Sequence, residues 1–264
     1  MKTSGKMNYL FLSVIAFLIL LPLSFLVLWS VSSKWLYPAV LPQQLAVKPF
    51  VQMIHDPSFF QAIMNSFVIA FAATFLTLII ALPAANYFAF QQQFSQRVIE
   101  VMIYLPLILP AVALITSSQV IFLKLGLNGS FLGVVLIHTY FCLPYGMQIL
   151  LESYRQLGEG FSLTARSLGA NRWLTFWQIS WPLLRPGIAT AASLVFIVSF
   201  SQYLPTFFIG GGRIVTLPLL LLPYANNGRY GIASAYSLLF LVCTIIGVWF
   251  LRKMIGGVQR GTKR

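Results

Sequence analysis

Apolar residues occur in long uninterrupted runs along this chain, and charged residues mark the boundaries of the runs. Charge-free stretches separate Lys6 from Lys34, Asp56 from Arg97 and Arg229 from Arg252, and similar stretches lie between them. A helix needs about 20 apolar residues to cross a hydrocarbon core of about 30 Å. The pattern therefore predicts an all-α membrane protein with six transmembrane helices, over residues 9–31, 63–88, 101–123, 131–151, 188–209 and 231–251.

The segments between the runs differ in length. Residues 152–187 form the longest predicted cytoplasmic loop, and prolines break the outer segment 34–62 into short pieces. The apolar stretch 214–222 is too short to cross a membrane, and Pro218 and Pro223 interrupt it, so we predict a re-entrant or surface segment. We expect one transmembrane domain over 1–264 with its core at 59–251, and we expect the first span to remain as an anchor.

Composition and charge support this class. The 264 residues are 59% hydrophobic and 8% charged, which excludes a soluble globular enzyme. With the N-terminus in the cytoplasm, more basic residues fall on that side, as the positive-inside rule requires, so both termini are predicted to be cytoplasmic. The net charge of +13 then reflects topology and contact with membrane lipid, not nucleic acid. The cytoplasmic set is Lys2, Lys6, Arg97, Arg155, Arg166, Arg172, Arg185, Arg252, Lys253, Arg260, Lys263 and Arg264, against Lys34, Lys48, Lys124, Arg213 and Arg229 outside.

The predicted spans contain little reactive chemistry. His138 is the only ionisable side chain well inside a span, and we interpret it as a hydrogen-bonded core histidine without metal-ligand partners. A phosphate-binding loop of the Gly-x4-Gly-Lys-Ser/Thr type is missing from the sequence. Cys142 and Cys243 lie in apolar runs and are expected to be buried thiols. Energy for active transport would have to come from another polypeptide.

The cytoplasmic loop has a distinctive local pattern. Ser162 is predicted to cap a short helix from Leu163 to Leu168, and Gly169 then permits a sharp turn. A second helix is predicted to end at Pro182. Its tryptophans recur every four residues and lie on one face, which suits either an interfacial aromatic belt or partner recognition; they are Trp173, Trp177 and Trp181.

This loop resembles the cytoplasmic signature of permease subunits of binding-protein-dependent ABC importers of the type I fold, which reads Glu-Ala-Ala-x3-Gly-x9-Ile-x-Leu-Pro. Ala165, Gly169, Ile179 and Pro182 match it with the spacing intact, and Arg166 and Ala170 are typical flanking residues. The sequence departs from the signature at Leu163, Thr164 and Trp181. Leu163 removes a glutamate that would contact the partner.

The resemblance implies a permease subunit of the bacterial inner membrane. The loop between spans four and five would be a coupling helix docked on a cytoplasmic ABC ATPase dimer, which binds ATP and Mg²⁺. This chain would need no cofactor, would be non-catalytic, and would pair with an identical or similar permease. An extracytoplasmic binding protein would deliver a small hydrophilic solute. The stretch from Phe200 to Thr206 resembles the branch that handles polyamines, thiamine, ferric iron and small oxyanions.

Two other classes remain open from the sequence. A secondary transporter or channel subunit would work without ATP, and an intramembrane enzyme would need a catalytic constellation that four peripheral carboxylates and one histidine do not supply.

Polar clusters in the third and fifth spans are the predicted pathway residues. Such groups should face a neighbouring helix or a wet cavity, because facing lipid costs free energy. They are Ser117, Ser118 and Gln119 in the third span and Ser199, Ser201, Gln202 and Tyr203 in the fifth.

Overall fold

Long helices dominate the computed structural model, which describes residues 3–35, 39, 41–90 and 94–256. Lys2, Arg260, Lys263 and Arg264, which entered the charge balance, lie outside the described residues. The elements in chain order are α1 (Thr3–Ser30), β1 (Ser32–Lys34), β2 (Gln44–Leu45), α2 (Lys48–Ile54), α3 (Phe59–Phe90), α4 (Phe94–Ile108), α5 (Ala111–Lys124), α6 (Phe131–Leu157), α7 (Gly160–Ser167), α8 (Arg172–Thr175), a π-helical turn (Phe176–Ser180), α9 (Trp181–Ser201), α10 (Leu204–Gly210), α11 (Leu217–Asn226) and α12 (Tyr230–Gly256).

Five of the described helices are long and apolar enough to cross a membrane, and there are six crossings if a bent pair is one span. This confirms the predicted polytopic helical protein, to which the structure adds the two-stranded antiparallel sheet β1–β2. The predicted re-entrant or surface segment is the ten-residue helix α11. The continuous crossing helices are Phe11–Ser30, Phe59–Phe90, Phe131–Leu157, Arg172–Ser201 and Tyr230–Gly256.

The third predicted span, 101–123, is not one helix. The prediction of a single continuous helix there was wrong, because the segment forms parts of α4 and α5. Helices α4 and α5 are bent by 115° at a break between Ile108 and Ala111. Pro110 explains the break, because its ring disfavours helical backbone at Leu109 and it has no N–H to continue the hydrogen-bond ladder. The Leu114 N–H then donates to the Pro110 carbonyl at 3.2 Å and starts the new helix.

The fifth predicted span, 188–209, was also wrong at both ends. Its helix begins at Arg172 and ends at Ser201, and α10 is a separate helix. Pro182 does not end the second loop helix as predicted. The Trp181 N–H donates to the Phe176 carbonyl five residues back, so the π-helical turn carries the chain into α9 with Pro182 in its first turn. The wider π-helical turn accommodates Pro182, which has no N–H to donate to the preceding turn.

Contacts divide the chain into two compact units, one of Met1–Phe60 with Leu217–Cys243 and one of Gln61–Thr216 with Thr244–Arg264. In the second unit small residues let helices approach closely. Ala191 and Ala192 on α9 are fully buried, and a Cβ at Gly187 would overlap the Ser153 side chain of α6. Close packing of small residues is the usual basis of helix association in membranes, where no hydrophobic force drives it.

The first unit is organised around Asp56. Its carboxylate accepts hydrogen bonds from the Tyr224 hydroxyl at 3.2 Å and the Tyr236 hydroxyl at 3.1 Å, and the two rings stack at 5.6 Å. Its other oxygen accepts from the Ser58 N–H at 2.9 Å. Burial, and then the nearby Asp56 charge, raises the pKa of Tyr224, which keeps this phenol a neutral donor. One carboxylate therefore joins the α2–α3 turn to α11 and α12.

We predict that Gly247→Ala destabilises the second unit. A Cβ at Gly247 would overlap the ring of Phe196, which is fully buried on α9. Overpacking a membrane core should cost about 1–3 kcal/mol of unfolding free energy, measured as a lower Tm of the purified protein in detergent. Gly256→Ala, where a Cβ meets open space, is the control. Recovery of the Tm in Gly247→Ala/Phe196→Leu would identify the ring as the cause, and an unchanged Tm in Gly247→Ala would contradict the packing.

Candidate functional site

The loop between α6 and α8 contains a tight, well-defined turn. The Ala170 N–H donates to the Ala165 carbonyl and the Gly169 N–H to the Arg166 carbonyl, both at 3.0 Å. This pair of bonds is a Schellman motif, which requires left-handed backbone at the residue after the cap. Gly169 has φ +88°, and a Cβ there would meet nothing within 4 Å. Glycine is therefore required at this position by backbone conformation and not by lack of space.

The helix before the turn starts earlier than predicted. Helix α7 begins at Gly160 with Glu159 at its cap position, so Ser162 is not the cap. After the turn, the Asn171 carboxamide oxygen accepts from the Leu174 N–H at 2.8 Å and caps α8. Asn171 was not among the predicted site residues, although an asparagine just before a helix is a recognised capping signal. Both sides of the Gly169 turn are thus fixed by hydrogen bonds.

Helix α7 packs against the protein through little of its surface. Ala165 is its only buried residue, whereas Leu163 and Phe161 are 53% and 56% exposed and Leu168, just after it, is 84% exposed. A cavity of about 330 Å³ separates α7 from the ends of α3 and α6. Exposed apolar side chains on a short surface helix are typical of an interaction site.

The signature residues after the turn lie on one continuous helix. Ile179 falls in the π-helical turn and Pro182 in the first turn of α9. The Trp173 and Trp177 rings contact edge to face at 6.0 Å, and Trp177 lies 5.5 Å from Trp181. The predicted tryptophan stripe is therefore a contiguous ladder, and Trp173 at its start is 72% exposed.

The predicted pathway residues do not form one site. Gln119 on α5 donates to the Phe208 carbonyl at 3.0 Å and so joins helices, while Ser117 is exposed. Ser199 is buried beside His138. Ser201, Gln202 and Tyr203, by contrast, line a common cavity of about 340 Å³ at the break between α9 and α10, which we call the break cavity.

His138 holds this break together. One ring nitrogen lies 3.0 Å from the Ser199 hydroxyl on α9, and the other lies 2.8 Å from the Thr206 hydroxyl on α10. The predicted hydrogen-bonded core histidine is confirmed. Among the described residues no group of three His, Cys, Asp or Glu could hold a metal ion. Cys142 and Cys243 are free and buried, as predicted.

A second, larger cavity lies along the same helices. It has a volume of about 990 Å³ and is lined by Glu100 and Tyr104 of α4, Gln148 and Glu152 of α6 and Thr190 of α9, and we call it the carboxylate cavity. These residues were not among the predicted site residues, although Gln148 and Glu152 are four apart and share a helix face. Arg155 also lines it, which leaves its two glutamates only partly balanced by positive charge.

The two cavities lie along the same interface between α4, α6 and α9, which we call the seam. Helices α4, α6 and α9 each contribute to both, through Leu107, Tyr145 and Val198 in the break cavity and through the residues above in the carboxylate cavity. Tyr145, Gln148 and Glu152 are spaced three and four apart, which gives α6 a polar stripe running from one cavity to the other.

Residues 73–256 match the family model described as a binding-protein-dependent transport system inner membrane component. The inner membrane ABC transporter permease protein YnjC of Escherichia coli strain K12 is 29% identical over 206 residues, which are 77% of this chain and 39% of YnjC. This chain thus spans well under half of that relative. The molybdate/tungstate transport system permease protein WtpB of Thermococcus kodakarensis is 26% identical over 228 residues, covering 82% of this chain and 87% of WtpB.

A crystal structure of a bacterial ABC transporter involved in import of the acidic polysaccharide alginate contains a chain with the same fold. The TM-score is 0.71 at 19% identity, and the match covers 94% of this chain and 95% of that chain. The family match extends over more than half of this chain and includes the Gly169 turn and both cavities. This multi-pass protein therefore belongs to the family of inner-membrane components of binding-protein-dependent transport systems.

Proposed function

We propose that this chain is the permease subunit of an ATP-driven ABC importer and forms half of the pathway for a small hydrophilic solute. The observation that carries the proposal is the Gly169 turn, which presents an apolar, weakly packed helix at the signature position of an ATPase-coupling motif. In this account ATP and Mg²⁺ are bound by a partner ATPase dimer, and this chain is non-catalytic and holds no cofactor.

Docking on the ATPase would use the exposed residues of α7. Phe161, Leu163 and Leu168 offer an apolar surface that an ATPase groove can bury. Leu163 stands where the family has a glutamate, so this contact would be apolar and not polar. Arg166, exposed on the same helix, would supply the polar edge of the interface.

Movement of the docked helix would reach the pathway through one rigid element. Residues Arg172–Ser201 form a single helix that begins two residues after the turn and ends at the break cavity. A displacement at the turn would therefore shift Ser201 and its neighbours, while His138 keeps α10 attached to α9. We assign the solute pathway to the seam between the break cavity and the carboxylate cavity, completed by a second permease, identical or similar.

The orientation follows from charge. Both termini and the Gly169 turn are placed in the cytoplasm, because that arrangement puts the larger set of Lys and Arg inside. The segment 31–57, with β1, β2 and α2, would then lie outside, where the solute-binding protein docks. We propose a polyamine, thiamine, ferric iron or a small oxyanion as the solute. Relatives named for molybdate/tungstate, Fe(3+) and spermidine/putrescine transport support this range of solutes.

We predict that Gly169→Val uncouples transport from ATP hydrolysis. Valine at φ +88° is strained by about 1–3 kcal/mol, so the turn should rearrange and misplace α7. ATP-driven solute uptake by the reconstituted importer should fall at least about tenfold, a loss that corresponds to roughly 1.4 kcal/mol. Gly160→Val is the matched control. Gly160 is the first residue of α7, its φ is ordinary, and a Cβ added there would meet nothing within 4 Å. Equal uptake by both variants at equal expression would contradict the coupling role.

We also predict that Leu168→Asp abolishes co-purification of the ATPase in mild detergent. The substitution places a charge on the most exposed apolar residue of the proposed interface. Leu125→Asp is the control, since Leu125 is 65% exposed at the end of α5, away from α7. Repeated isolation of the wild-type chain without an ATPase, with uptake driven by an ion gradient, would instead identify a secondary transporter or channel.

A further inference from the structure

A cavity of the first unit lies where two crossing helices end. It has a volume of about 330 Å³ and is lined by Trp29, Ser32, Trp35, Lys48, Arg229 and Tyr230; we call it the headgroup cavity. Trp29 is one residue from the end of α1 and Tyr230 is the first residue of α12, and their rings stack at 5.3 Å. Tryptophan and tyrosine at the ends of crossing helices mark the headgroup level of a bilayer. This cavity therefore lies at the membrane surface.

The wall of the headgroup cavity continues onto lipid-facing surface. Most of the crossing part of α1 is exposed, and Leu21 and Phe25 on it are 40% and 39% exposed. The Phe25 ring stacks on Trp35 at 6.2 Å, which joins the apolar face of α1 to the cavity itself. A molecule with a polar group in the cavity could extend its acyl chains along α1.

Two cations of the cavity have no carboxylate partner among the residues that the structure describes. Asp56 is the only carboxylate in this unit, and it is occupied by Tyr224, Tyr236 and the Ser58 N–H. Arg229 instead lies over the Tyr224 ring at 5.2 Å, where a cation–π contact orients it. Lys48 is exposed at the rim. Within the described residues the cavity thus carries two positive charges that are not held in an ion pair with a carboxylate.

Uncharged donors complete the arrangement. Ser32 is only 7% exposed, and its hydroxyl oxygen has no hydrogen-bond partner in the described structure although Ser32 lines the cavity. Buried hydroxyl groups without a partner are uncommon and call for an explanation. The first N–H groups of α12, at Tyr230 and Gly231, also border the cavity, and the start of a helix favours an anion.

We propose that the headgroup cavity binds the phosphate of an anionic phospholipid. Lys48 and Arg229 neutralise the phosphate, the Ser32 hydroxyl and the start of α12 donate to its oxygens, and the acyl chains lie along α1. The bound lipid strengthens the attachment of α1, which is mostly exposed, to the start of α12.

Native mass spectrometry of the full-length purified chain in detergent tests the proposal without the ATPase or a solute. The probes are phosphatidylglycerol, phosphatidylethanolamine with the same acyl chains, and inorganic phosphate. Wild-type protein should retain one phosphatidylglycerol in preference to phosphatidylethanolamine. Lys48→Gln/Arg229→Gln should lower that retention about tenfold or more, as expected for losing two cations at a lipid surface. Ser32→Ala should lower it severalfold with an unchanged Tm.

Lys124→Gln is the matched control, because Lys124 is an exposed cation at the end of another helix, and it should retain the lipid as wild type does. Equal retention of the two lipids, or normal retention by the double variant, would overturn the proposal. Displacement by inorganic phosphate would overturn it in favour of a free-anion site. Normal retention combined with lost uptake in the double variant would overturn it too, and would assign the two cations to contact with the binding protein.

Discussion

The structure depends on hydrogen bonds that hold its apolar helices together where they break. Inside a membrane an unpaired backbone or side-chain polar group cannot form hydrogen bonds with water. Neighbouring residues must therefore supply hydrogen bonds where a helix breaks. His138 provides that support at the break between α9 and α10, with one hydroxyl partner on each helix. Because of this bridge, α9 can end beside the break cavity while α10 remains attached to α9 through His138. The only ionisable side chain well inside a predicted span therefore bridges two helices.

Coupling in the proposed importer combines a loosely packed surface helix with a rigid connection. Helix α7 buries Ala165 alone, so little packing opposes its movement with a docked partner. The Schellman motif at Gly169 and the Asn171 cap, in contrast, hold α7 and α8 in fixed geometry. Because the helix from Arg172 to Ser201 is continuous, the proposed displacement of α7 would reach the break cavity without crossing a break in the helix. If the second loop helix had ended at Pro182, as the sequence predicts, no continuous helix would connect α7 to the break cavity.

Proline shows why the sequence predicts this fold only in part. The apolar runs and the turn at Gly169 follow from residue type alone, since length and φ leave few alternatives. Pro110 and Pro182 carry the same local signal, yet the first breaks a helix by 115° and the second is absorbed by a π-helical turn. The difference comes from hydrogen bonds outside the proline itself, namely the i+5 bond from Trp181 to Phe176. The lining of the carboxylate cavity was not predicted either, because Glu100 and Glu152 come to line one cavity only when α4 packs on α6.

Photo-crosslinking from Leu168 would show directly whether α7 docks on an ATPase. A Leu168→Cys variant labelled with a benzophenone maleimide places the reactive group on the exposed apolar end of α7, while Cys142 and Cys243 are buried and should escape labelling. The account predicts a crosslink between this chain and an ABC ATPase in native membranes, at a yield that changes when ATP is added, and no such product from Leu125→Cys. Absence of an ATPase adduct from Leu168→Cys, or equal adducts from both positions, would contradict the account.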